Sequence, residues 1–89
     1  MYPPSLVVNL ESSYQAYVPI DAPARDVVLM GLRWQTPSWP ELAVGWLEQG
    51  VPVDSEIAKC LEQIASRKEW PQHLRHRAQA LLRARLRTR

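Results

Sequence analysis

The sequence predicts an α+β fold leaning mostly α. A short N-terminal β-hairpin or extended arm is expected to precede three to four short helices, the last long and rich in arginine. Three observations carry this expectation. Residues 6–20 are rich in β-branched and aromatic side chains and are broken by Pro19. Apolar residues recur at helical spacing from about residue 38 onward. Ser38, Asp54 and Gly50 stand where helices need caps.

The elements follow in chain order. Leu6-Val7-Val8-Asn9-Leu10 is a short apolar run behind Pro3 and Pro4 and reads as a strand. Tyr14 to Ile20 alternates imperfectly, and Pro19 makes it an edge strand or an extended arm. With Glu11-Ser12-Ser13 as the turn, residues 5–20 form an extended segment or hairpin. Such a segment suits pairing with a partner's sheet edge or with a second copy of the chain. Asp21 is placed to cap the next element, which reads as a helix over Asp26 to Arg33. A strand over Val27 to Met30 is the rival, because so short a run does not separate the two periods.

Ser38-Trp39-Pro40-Glu41 has the pattern of a capping box at a helix start, and Gly50 suits a left-handed stop. Asp54 is expected to cap a helix through about Arg67. Its Ile57, Cys60, Leu61 and Ile64 recur at the spacing of one buried face. The final helix is expected over 71–87, with Leu74, Ala78, Leu81 and Leu82 on its core side. Trp39-Pro40 and Trp70-Pro71 stand near the period of helical-hairpin repeats, and the last two helices loosely resemble one unit of a HEAT-type repeat. The other residues do not align and two units are few for a solenoid, so the shared dipeptide reads as the preference of proline for a helix's first turn.

Residues 1–89 are read as a single small domain, with a helical body over 21–89. The 46% apolar and 22% charged composition is that of a globular chain and excludes general disorder. Cys60 is the only cysteine, so the chain lacks the disulfide framework of small secreted domains and a cytoplasmic location is expected. Met1 to Ser5 do not begin a signal peptide, and no run approaches the roughly 20 apolar residues of a membrane span. Net charge is +2, but it is unevenly spread. Residues 1–66 carry three bases against eight acids, and residues 67–89 carry eight bases against Glu69. That asymmetry points to an interaction surface.

No enzyme is expected, and neither cofactor nor metal. Cys60 lies in an apolar stripe without a flanking base, and the three glycines make no phosphate loop. His73 and His76, with Glu69 one turn earlier, have ligand spacing, but Arg75 and Arg77 would repel a cation. The expected function is that of a non-catalytic accessory or regulatory protein (adaptor, inhibitor or assembly factor) that binds another protein, in a bacterial or phage setting. Its partner-binding residues are expected to be Trp34, as an exposed aromatic anchor, with His73, His76, Arg77, Arg83 and Arg87 against an acidic partner surface. The alternative is a nucleic-acid-binding regulator whose arginine-rich last helix clamps phosphates. A homo-oligomeric structural subunit, such as a homodimer, is the further alternative. No membrane partner is expected.

Overall fold

The computed structural model describes residues 4–18 and 22–87, with the side chains of 5–18 and 22–85. Four α-helices form the body: α1 (Ala24–Leu32), α2 (Ser38–Gln49), α3 (Ser55–Ser66) and α4 (Gln72–Arg87). Two 3-10 helices precede them, Pro4–Glu11 and Tyr14–Ala16. No strand occurs among the described residues.

The expected hairpin over residues 5–20 is therefore corrected, as is the strand-pairing role it suggested; Pro19 and Ile20 lie outside the described residues. Burial shows why. A strand in this register would bury Leu6, Val8 and Leu10 together. Leu6, Val7 and Leu10 are buried instead, and Val8 is 50% exposed. That is a helical pattern, in which Val7 and Leu10 eclipse at the three-residue 3-10 repeat. With no second strand among the described residues to pair with, the backbone amides close short turns, as in Tyr17 N–H to the Tyr14 carbonyl at 3.1 Å. The segment then lays its apolar side on α1 and α2.

Over Val27 to Met30 the structure selects helix. α1 buries Val27, Val28, Leu29, Gly31 and Leu32, a broad apolar face wedged between α2, α3 and the first 3-10 helix. Asp21, the expected cap, lies outside the described residues; the residue before the helix is Pro23, which offers no side-chain cap. The capping box at Ser38 is also corrected. α2 begins at Ser38 itself after Pro37, and no side chain caps it. The Glu41 amide bonds the Pro37 carbonyl at 3.1 Å, and the Glu41 carboxylate is turned toward α4. At the other end Gly50 has φ 131°, a conformation costly for any residue with a Cβ, and it stops α2. Asp54 caps α3 as expected, accepting from the Ile57 amide at 2.9 Å.

The helices pack as two hairpins, α1 with α2 and α3 with α4. The hairpins are stacked so that α1 meets α3 and α2 meets α4. Their buried positions correspond. Val27, Val28 and Gly31 recur as Ile57, Ala58 and Leu61 about thirty residues later, and Ala43 and Leu47 recur as Leu74 and Ala78. The two Trp-Pro dipeptides are placed differently: Trp39-Pro40 lie inside α2 with Pro40 buried, and Trp70-Pro71 precede α4 with Trp70 buried. One core runs through both hairpins, with Trp46, Leu10, Ile57, Leu61, Ile64 and Leu74 all but sealed from water.

Candidate docking surface

Once residues 24–32 are helical, Arg25, Leu29 and Arg33 fall four apart on one side of α1, with Asp26 and Met30 alongside. Leu29, Met30 and Trp34 make the apolar part of a shallow groove of about 440 Å³, and Arg25, Asp26, Arg33 and Glu56 line the rest. A second hollow of about 400 Å³ adjoins it, between Arg33, Trp34, Gln35 and Thr36. Trp34 and Arg33 thus stand on the ridge between two hollows. Trp34 is half-buried just beyond α1, where the link to α2 turns it edge-on to Trp39, ring centres 6.3 Å apart. That contact fixes the indole's orientation while leaving part of it in water.

The polar rim is a compact network of charges. Arg25 donates through Nε to Asp54, through Nη1 to Asp26 at 3.2 Å and through Nη2 to Glu56 at 2.5 Å. Arg33 donates through Nη2 to the other Glu56 oxygen at 2.6 Å. Hydrogen bonds to Asp54 and then Glu56 hold the Arg25 guanidinium above the usual arginine range. The bond to Glu56 does the same for Arg33, against partial burial, with a smaller contribution from the Cys60 thiol. Arg25 and then Arg33 keep the Glu56 carboxyl below the ordinary glutamate range. Burial pushes Asp54 upward, but the Ile57 amide and Arg25 outweigh it and the carboxyl titrates low. Each charge fixes its neighbours, so the rim is a preformed frame of both signs around an apolar floor.

The residues expected on the final helix separate into two groups. His73 and Arg77 face α2. His73 Nε2 lies 2.8 Å from Glu41 Oε1, and Arg77 holds Glu48 with both Nε (3.1 Å) and Nη2 (2.7 Å). The Glu48 bond outweighs desolvation and raises the Arg77 guanidinium above its usual range. These two side chains tie α4 to α2. His76 and Arg83 point outward and are exposed, with no polar partner among the described residues. The Arg87 side chain lies outside the described residues. Arg85, next to the outward stripe in sequence, turns in and donates to the Val53 carbonyl at 3.2 Å.

The structure therefore does not gather the six expected residues into one site. Trp34 belongs to the α1 side, His73 and Arg77 to the α2–α4 seam, and His76 and Arg83 to open solvent. Arg25, Leu29, Met30, Arg33 and Glu56 are the groove residues that sequence reasoning did not find. The four-residue spacing of Arg25, Leu29 and Arg33 was the available signal, and it is visible only if the segment is taken as helix.

Cys60 is buried. Among the described residues no group of three His, Cys, Asp or Glu side chains is arranged to hold a metal ion, and no helix is long and apolar enough to cross a membrane. No protein-family model, no curated protein and no solved structure matches this chain.

Proposed function

We propose that this chain is a small non-catalytic docking protein that binds a protein partner through the groove at Trp34. The observation that carries the reading is the composition of that groove, with Leu29, Met30 and Trp34 inside a fixed rim of Arg25, Arg33, Asp26 and Glu56. Protein interfaces concentrate their binding energy in aromatic and arginine side chains set in partly dry pockets and ringed by polar groups. Trp34 is already oriented by Trp39, so little side-chain entropy is lost when a partner closes over it. The non-catalytic part of the reading is supported by the acids themselves. Glu48, Asp54 and Glu56 each hold an arginine of this chain and Glu41 bonds His73, an arrangement that serves structure.

The test is affinity capture from the source cell with the full chain, alongside Trp34→Ala and Arg83→Gln, with circular dichroism confirming that both variants keep their helices. A partner that wild type and Arg83→Gln retain at high salt, and that Trp34→Ala loses by tenfold or more, is the expected result. The same protein captured equally by Trp34→Ala would remove the groove from consideration.

A further inference from the structure

We infer a second, separate surface: the outward side of α4, with the turn leading into it, binds the phosphate backbone of duplex nucleic acid. Several charges are already paired within the fold. Arg25 and Arg33 are held by Asp26, Asp54 and Glu56, and Arg77 by Glu48. Five cations of the second hairpin have no carboxylate partner among the described residues: Lys59, Arg67, Lys68, Arg75 and Arg83. Glu62 and Glu69 are the acids exposed on that hairpin. The positive end of the sequence is thus only partly neutralised by the fold, and what remains lies on one hairpin.

The placement of these cations suits phosphate. Arg67 and Lys68 are exposed in the turn before α4, with the Arg67 guanidinium 4.6 Å from the centre of the buried Trp70 ring. Arg75, half-buried, donates through Nε to the Trp70 carbonyl at 3.2 Å, which leaves its other N–H groups without a partner among the described residues. Arg83 stands eight residues further along the same rod, at about 1.5 Å per residue, or roughly 12 Å. A duplex presents a charge about every 1.7 Å of its axis, both strands counted, so two cations this far apart along a helix, and about 80° apart around it, meet phosphates without any base register. Between them Gln79 and Ala80 are exposed, one polar and one short, and allow close approach.

The same face fits other partners poorly. Gln72, His76, Gln79, Ala80 and Arg83 form its outermost stripe, and none is a large apolar residue. A protein interface needs a desolvated anchor at its centre, and an amphipathic membrane helix needs a bulky apolar side. This stripe offers Arg83, hydrogen-bonding side chains and the small Ala80, which suit holding phosphate without reading sequence.

Fluorescence anisotropy of the full chain with a labelled duplex of arbitrary sequence tests this. The titrations run from about 50 to about 200 mM salt, where four phosphate contacts predict an affinity loss of about a hundredfold. Lys68→Gln/Arg75→Gln/Arg83→Gln is expected to lower the log–log salt slope by about 2.7, and Arg83→Gln alone by about 0.9. Trp34→Ala is expected to keep the wild-type slope, which separates this surface from the groove. No binding at the lowest salt, or an unchanged slope in both glutamine variants, overturns the proposal. So does binding to vesicles of phosphatidylserine and phosphatidylcholine without binding to duplex.

Discussion

The two hairpins solve one packing problem with different side chains, and position 46 against position 77 shows it best. Trp46 and Arg77 occupy equivalent places, each three residues after an apolar contact, Ala43 in α2 and Leu74 in α4. In the first hairpin that flank is covered by the N-terminal segment. Trp46 is 1% exposed, lies between Tyr14 and Tyr17 at ring distances of 5.8 and 5.0 Å, and donates to the Ser12 carbonyl at 2.8 Å. In the second hairpin the same flank faces α2, whose nearby residue is Glu48, and an arginine serves. A flank that receives an irregular, carbonyl-rich segment favours an aromatic with one polar handle. A flank that receives the wet side of a helix favours an ion pair. Like backbones thus yield a dry half and a charged half, and the candidate surfaces follow that division.

The largest effect is expected from Trp46→Ala. It empties the centre of the N-terminal clasp and should lower stability by about 3–5 kcal/mol, read by urea denaturation. A loss near zero would mean that the 3-10 segment contributes little to the first hairpin.

Gly31→Ala comes next. A Cβ there would stand 2.4 Å from Leu10 Cδ1 and 3.1 Å from Ala43 Cβ. Alanine in a helix gains about 1 kcal/mol over glycine, but overpacking a dense core costs about 1–3 kcal/mol. Leu10 is sealed in the core and Ala43 is fixed on α2, so a net loss of about 1 kcal/mol is expected in the same denaturation measurement. A gain would show that Leu10 swings aside freely and that the N-terminal segment is loosely seated.

The smallest effect belongs to the charged half. A double-mutant cycle of Arg77→Gln and Glu48→Gln should return a coupling of about 0.2–1 kcal/mol that shrinks with salt, because side chains 31% and 42% exposed are well screened. A larger, salt-insensitive coupling would make the α2–α4 seam a buried feature and erase the contrast with Trp46.

Helices α2, α3 and α4 were legible because their signals are local. The Asp54 cap, the Gly50 stop and the Ile57-Cys60-Leu61-Ile64 stripe each act within a few residues, and the structure keeps all three. The N-terminal segment was misread for the opposite reason. A short apolar run has no intrinsic choice between strand and helical turn, and here α1 and α2 supply the surface while no strand stands among the described residues. The capping box failed because α2 starts one residue early, with Ser38 inside the helix and the Glu41 amide on the Pro37 carbonyl, while the Glu41 carboxylate bonds His73, 32 residues away.

The candidate surfaces divide in the same way. Trp34, which the structure places half-buried at the groove, stood out in the sequence because it follows a helix end and precedes a proline-rich link. Its companions were hidden by the open helix-or-strand choice over residues 26–33, and Glu56 reaches them from another helix. Composition and local pattern determined a mostly helical body with a basic end. Only the tertiary structure decided which cations remain available, because pairing Arg77 with Glu48 and Arg25 with Asp54 and Glu56 joins residues 29 to 31 positions apart. Electrostatic pairing falls off with distance in space, and the distance is set by how the two hairpins stack.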